Sequence, residues 1–202
     1  MLAIVVIVAS YLLGSLLFSV LISRLVKGVD IRSHGSGNAG ATNTLRVIGL
    51  GPALLVFVLD LAKGVTAVLL ASWVVPDAEW VQVASGLAAI CGHNWPVFFK
   101  FRGGKGIATT IGMVVALAPM AGIAAGVVAI LSIVFTRYVS LGSLLFTALF
   151  PVFVFALSYS SELFWGSLVI TAFAWFRHRT NIVKLVQGRE NKLGSKKKMQ
   201  QL

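Results

Sequence analysis

Three short stretches hold nearly all the chemically useful residues of an otherwise apolar chain: GSGNAGATNTLR at 35–46, GHNWPVFFKFRGGKG at 92–106 and FRHRTNIVKLVQGRE at 176–190. Each mixes glycines and small hydroxyl or amide residues with Arg, Lys or His, a mixture suited to a small, strongly anionic headgroup. In the first, glycines let the backbone turn so that successive N–H groups converge on an anion, and a helix N-terminus adds partial positive charge. Ser36, Gly37, Asn38, Gly40, Thr42 and Asn43 supply the turn and its donors, and Arg46 can grip phosphate oxygens in a bidentate fork. A plain turn capping the next apolar span is the simpler alternative, but it needs neither Arg46 nor so many donors. In the second, Lys105 stands among Gly103, Gly104 and Gly106 at the start of an apolar run, where it offers a point charge beside exposed N–H groups. His93 and Asn94 precede a bend at Pro96, while Lys100 and Arg102 read as interfacial side chains reaching for water. In the third, Arg177, Arg179 and Lys184 are ordinary at a membrane boundary. His178 and Asn181, however, share one face if the helix continues past the boundary.

Two familiar nucleotide signatures are imitated and fail. GSGNAG at 35–40 matches G-x-G-x-x-G, with Asp60 twenty residues after Gly40, but apolar spans flank it where the dinucleotide fingerprint requires a strand and a soluble βαβ unit. GGKG would become a P-loop only with glycine at Phe99 and Ser or Thr at Gly106, so nucleotide hydrolysis is not supported.

The elements that must position these residues are membrane spans. Of 202 residues, 58% are hydrophobic and 11% charged, against roughly a quarter charged in a soluble domain. Apolar runs occupy about 2–23, 51–75, 80–95, 107–118, 120–136, 138–157 and 162–176. The first lacks a basic leader and reads as a retained span. The third and fourth are shorter than the roughly 17–25 residues of a simple crossing, so they tilt, or the loop between them dips into an enclosed cavity. Residues 107–136 read either as one long helix or as a hairpin at Ala118–Pro119. With the hairpin the count is seven, and every Lys and Arg except Lys63 falls on one face, opposite Asp77, Glu79 and Glu162. The positive-inside rule then places the N-terminus outside and the C-terminus in the cytoplasm. The expected fold is an all-α polytopic membrane protein, one domain over 1–202, with 191–202 a mobile basic tail near anionic lipid headgroups. The net charge of +11 sits at the ends of apolar runs, which argues against nucleic acid as a partner. Cys91 is the lone cysteine and no Cys/His metal spacing exists, so neither a disulfide nor a metal or other cofactor is expected. Asp60 and Lys63, three residues apart within the second span, read as an internal ion pair, with a proton or transport relay as the alternative.

Together the stretches closely resemble the bacterial acyl-phosphate:glycerol-3-phosphate acyltransferase family, whose pattern runs D-I-R-x-x-G-S-G-N-x-G-A-T-N-x-x-R, G-H-N-W-P-x-F-x-x-F-x-G-G-K-G and x-R-H-x-x-N-I-x-R-L-x-x-G-x-E. Asp30 to Arg32, Gly35 to Asn38, Gly40 to Asn43 and Arg46 match the first. Gly92 to Pro96, Phe98, Phe101 and Gly103 to Gly106 match the second, and Arg177, His178, Asn181, Ile182, Leu185, Gly188 and Glu190 the third. Lys184 departs from the commoner Arg, and Asp60, Lys63 and Gly64 supply a D-x-x-K-G in the second span. The resemblance implies an enzyme of phospholipid biosynthesis in the bacterial cytoplasmic (inner) membrane, its site facing the cytoplasm. It would transfer a fatty acyl group from acyl phosphate to the 1-hydroxyl of glycerol 3-phosphate, giving lysophosphatidic acid and inorganic phosphate, with no obligate protein partner. It implies Lys105, Arg46, His178 and Asn181 as catalytic, and Ser36, Gly37, Asn38, Gly40, Thr42, Asn43, Asn94, Gly103, Gly104 and Glu190 as substrate-binding.

Other acyltransfer machinery is missing. The H-x4-D signature of another acyltransferase superfamily fails, because Ala39, Phe98 and Val183 stand five residues after His34, His93 and His178. No credible Ser-His-Asp set exists. Expected instead are two clamped substrate phosphates, an acyl tail in a groove between spans with room left by Gly112, Ala116, Gly122 and Gly126, and the hydroxyl proton passing to a substrate phosphate oxygen or to His178. The competing classes are a transporter of a phosphate-bearing solute and a scaffold that only binds lipid headgroups. Against the transporter, the polar motifs gather at one face, whereas transporter sites lie near the bilayer midplane.

Overall fold

A computed structural model describes residues 1–194, and among them every regular element is helical. Helices α1 (Leu2–Gly14), α2 (Phe18–Lys27), α3 (Ala41–Val47), α4 (Leu50–Val74) and α5 (Glu79–Asn94) precede the glycine-rich turn. Then come α6 (Ile107–Leu117), α7 (Pro119–Thr136), α8 (Val139–Ala156), α9 (Ser161–Arg177) and α10 (Arg179–Val186). Leu2–Lys27 taken together, α4, α7 and α8 are long and apolar enough to cross a membrane. At 16, 11 and 17 residues, α5, α6 and α9 are shorter.

Close approaches between helices rest on small residues, as expected where lipid removes the usual hydrophobic drive. A Cβ on Gly14 would lie 2.1 Å from the Ala89 carbonyl oxygen, and one on Gly92 2.2 Å from that of Tyr11, so α1 lies directly on α5. Gly64 and Gly112 lock α4 to α6 in the same way, against the carbonyls of Thr109 and Leu61. Phe146, Phe150, Met113, Leu163 and Ile170 centre the main core where α5 to α9 meet.

Three features of the chain's course bear on function: two depart from the sequence reading, and the third is the hairpin at Ala118–Pro119 on which that reading built its seven spans. The first apolar run is not one helix but breaks over 15–17. Residues 107–136 are not one helix either: a Cβ on Gly122 would stand 2.4 Å from Val114 Cγ1, although eight residues of continuous helix rise about 12 Å. The chain therefore bends sharply at Ala118. The first polar loop contains a helix of its own, so residues 35–40 lead into α3 rather than capping the long apolar span, which begins after Gly49 at φ 120°. The expected basic tail lies largely outside the described residues. Its described part is held to the α7–α8 turn, where Arg137 accepts a backbone bond from Leu193 and its guanidinium donates to the Leu193 carbonyl at 2.7 Å.

Candidate functional site

The break in the first apolar run exposes backbone carbonyls that a helix would satisfy. Lys63 Nζ reaches across from α4 and donates to the Gly14 and Leu16 carbonyls at 3.0 and 3.1 Å. The same ammonium lies 2.8 Å from His93 Nδ1 and 2.9 Å from Asp60 Oδ1, and both members of the Asp60–Lys63 pair are 1% exposed. The internal ion pair is present, and its place in the fold is definite, for it stitches α1, α2, α4 and α5 around the break. His93 passes the constraint on. Its carbonyl accepts the Gly104 N–H at 3.1 Å, and a Cβ on Gly104 would strike its Nε2 at 2.1 Å.

Two arginines join the three polar stretches. The Arg32 guanidinium, three residues ahead of the first stretch, donates to the Phe99 carbonyl at 3.0 Å and the Arg102 carbonyl at 3.2 Å, fastening the entry to that stretch onto the second. Its hydrogen bonds to Asp30 hold that carboxyl well below the usual carboxylate range. Arg177 lies against the Trp95 ring and donates to the Gly104 carbonyl at 2.6 Å and the Gly103 carbonyl at 3.1 Å, fastening the third stretch to the second.

What they enclose is one cavity of about 930 Å³. Ser36, Gly37, Asn38, Gly40, Thr42, Asn43, Arg46, Gly103, Lys105, His178, Asn181 and Glu190 all line it. Asn94 and Gly104 do not. Gly104 is buried against His93, and Asn94 lies behind Gly106, where a Cβ would stand 2.8 Å from its Oδ1. Asn43 is in the wall but uses its amide within the loop, accepting from Ser36 N–H at 2.8 Å and donating to the Ile31 and His34 carbonyls. Asp60, His93, Arg177 and Arg179 also line the cavity. Their sequence positions alone mark the two arginines as interfacial, and only the fold turns them inward. The signal that raises Asp60 is a charge inside an apolar span.

The polar end is electrostatically unbalanced. Lys105 donates to the Asn181 side-chain carbonyl, and the Asn181 amide donates to Glu190 at 2.9 Å. Desolvation pulls Lys105 down to about 8, with Glu190 opposing the shift and Arg177, Lys184 and Arg46 adding to it. The helix does not run through His178 but bends there, with α10 starting at the next residue; even so, His178 and Asn181 both face the cavity. His178 Nδ1 lies 2.8 Å from the Ala174 carbonyl, which can only accept, so Nδ1 carries the proton and Nε2 the lone pair. Burial first, then the Lys105 charge, pulls this imidazole down to about 4, and it is neutral at pH 7.

The other end is apolar, walled by Ile111, Val114 and Val115 of α6, Ile123 and Ile130 of α7 and Phe146 of α8. Of the small residues expected to leave room, Gly122 and Gly126 line this part, Gly112 is buried against the Leu61 carbonyl, and Ala116 is not in the wall. A charged mouth continuous with an apolar groove suits an amphiphile carrying an anionic head. Among the described residues no group of His, Cys, Asp or Glu is placed to hold a metal ion.

Residues 4–188 match the family model described as glycerol-3-phosphate acyltransferase. A glycerol-3-phosphate acyltransferase of Halalkalibacterium halodurans is 54% identical over 95% of each chain. One from a Thermoanaerobacter species is 43% identical over 97% of this chain and 98% of its own. Among solved structures the chain is similar to PlsY (YgiH), an integral membrane glycerol 3-phosphate acyltransferase, in its glycerol 3-phosphate form. There the TM-score is 0.90 at 41% identity, over 95% of this chain and 96% of that one. The lysophosphatidic acid form of the same protein gives a TM-score of 0.88.

Proposed function

The chain belongs to the glycerol-3-phosphate acyltransferase family, and we propose that it transfers a fatty acyl group from acyl phosphate to the 1-hydroxyl of glycerol 3-phosphate, forming lysophosphatidic acid and inorganic phosphate. The observation that carries this reading is the single cavity in which a cation-rich mouth, drawn from three distant stretches, runs on into an apolar groove. Both substrates bear a phosphate, and one bears a fatty tail.

Arg46 and Lys105 neutralise the two phosphates, with the 35–43 loop and Gly103 as backbone and side-chain donors. Asn181 holds the Lys105 ammonium, and Glu190 holds Asn181. Clamping both heads turns an encounter of two substrates into a nearly intramolecular attack, which removes up to about 7–11 kcal/mol of barrier. The glycerol oxygen bonds to the acyl carbon as the bond from that carbon to the phosphate oxygen breaks, and the cations stabilise the charge on the departing phosphate. The hydroxyl proton passes to a substrate phosphate oxygen. A neutral imidazole brought down to about 4 supports that route, since such a base is weak at pH 7 and His178 Nε2 is better suited to orient the hydroxyl.

Residues 1–202 act as one membrane domain. Counting the three shorter helices as crossings gives seven spans, with the N-terminus outside and the site facing the cytoplasm of a bacterial inner membrane; the one-sided distribution of Lys and Arg supports this. Purified protein supplied with glycerol 3-phosphate and, in parallel, acyl phosphate or acyl-CoA tests the reading. Lysophosphatidic acid and stoichiometric phosphate from acyl phosphate alone is the expected result. Product from acyl-CoA alone overturns the donor. No product from either, with labelled glycerol 3-phosphate carried into vesicles, replaces the enzyme with a transporter.

A further inference from the structure

We propose that the groove between α6 and α7 gauges acyl-chain length, and that Gly126 keeps its deeper half open; this rests on the acyl-transfer reading above. The two helices meet at Ala118, which is fully buried, and α7 then packs along α8 rather than α6. The space between them is a wedge with a closed apex. On α7 the wall residues are Pro119, Gly122, Ile123, Gly126, Ala129, Ile130 and Ile133, singly or in adjacent pairs at steps of three or four. They form one helix face. From Ile133, one turn before the polar mouth, to Pro119 at the apex, that face is about 21 Å long at the rise of an α-helix.

Glycine alone does not make space, and three glycines on this cavity differ. A Cβ on Gly142 would stand 2.5 Å from Ile133 Cγ1, and one on Gly122 2.4 Å from Val114 Cγ1, so both positions are already filled by neighbours. A Cβ on Gly126 would meet nothing within 4 Å. Its missing side chain is therefore open groove. It lies midway along the lined face, about 10 Å from either end. A bulky side chain there reaches into the path of the tail and blocks everything beyond it, whereas the mouth that holds the phosphates is untouched.

The test compares kcat/KM for acyl phosphates of increasing chain length in wild type, Gly126→Leu and Ile123→Phe, each purified and checked for folding by thermal unfolding. Ile123 lies about 4.5 Å nearer the apex, lines the groove and is 61% exposed, so its replacement is an apolar exchange that does not burden the core. Gly126→Leu is expected to lower the long-chain to short-chain ratio at least tenfold, and Ile123→Phe to lower it less. Val127→Leu, on the same helix but off the cavity wall, is the control and leaves the ratio unchanged. If both groove variants fold and keep the wild-type ratio, the tail leaves the wedge sideways into lipid and the gauge is wrong. Should Gly126→Leu fail to fold, Ile123→Phe alone decides between the same two outcomes. If the wild type makes no product from acyl phosphate of any length, both this inference and the reading beneath it fall.

Discussion

Two clusters of charge border the same cavity on opposite plans. Asp60, Lys63 and His93 are nearly inaccessible, and the Lys63 ammonium is met by the Asp60 carboxylate, an imidazole nitrogen and two backbone carbonyls. At the mouth, Arg46, Lys105, Arg177, Arg179 and Lys184 face Glu190, the only acid of the wall at that end among the described residues. The Lys63 ammonium, off the cavity wall and with four internal partners, has nothing left for a ligand; it holds backbone. A cluster with surplus positive charge, half-open to solvent, is completed by an anion. The Asp60–Lys63 pair is thus read as scaffold, and the mouth is where we propose that substrate phosphates bind.

The largest effect that sharpens this contrast is on stability. Lys63→Met leaves Asp60 as a buried charge without its partner and leaves the Gly14 and Leu16 carbonyls without a donor, a loss of about 3–5 kcal/mol. Thermal unfolding in detergent is expected to show it as a large drop in Tm, smaller when Asp60→Leu is added. Lys105→Met is expected to do the reverse: Tm close to wild type and kcat/KM for glycerol 3-phosphate lower by about 100- to 1000-fold. Arg46→Met should follow it in kind. A Lys63→Met protein as stable as wild type, or a Lys105→Met protein at wild-type rate, would break the distinction.

How much of this is legible in the sequence varies with range. The apolar runs at 51–75, 120–136 and 138–157 lie within a residue or two of α4, α7 and α8, because length and composition of a span are local properties. The break over 15–17 is only half legible. Gly14 and Ser15 in LLGSLLFS are a pair at which helices kink, but the freed carbonyls are tolerable because Lys63, distant in sequence, donates to them. The site divides the same way. The residue types around Arg46, Lys105 and His178 announce anion chemistry, but what brings them together is Arg32 on the Phe99 and Arg102 carbonyls and Arg177 on Gly103 and Gly104. Those are long-range bonds to backbone, and no spacing encodes them. Asn94 and Gly104 resemble site residues because they stand beside ones that face the cavity, while the turn aims them behind it.

The pH dependence separates the clusters by a smaller factor. Lys105 titrates near 8, so it is charged at pH 7 and loses its charge as pH rises through that value. Above about pH 8, kcat/KM for glycerol 3-phosphate is expected to fall by up to about tenfold per unit, the limit for one required proton. Lys105→Arg, which stays charged, removes that fall. His178→Ala bears on the same profile. With the substrate phosphate as base, the loss stays below about 100-fold, under the usual range for a general base. A loss of about 100- to 10,000-fold that persists at raised pH, inside that range, makes His178 the base instead.

The smallest expected effect is at Lys100, and it guards against crediting every cation of the second stretch. Lys100 lies five residues before Lys105, but it is exposed, has φ 56° in an exposed turn, and does not line the cavity. Its charge stands in high dielectric, where an isolated cation is worth at most about 1 kcal/mol to a partner. Lys100→Gln should therefore leave kcat/KM within about twofold and Tm unchanged, measured beside Lys105→Met in one preparation. A loss at Lys100 comparable to that at Lys105 would mean that the mouth works by bulk positive potential rather than by placed charges, and the unbalanced cluster would then extend over the whole 92–106 turn.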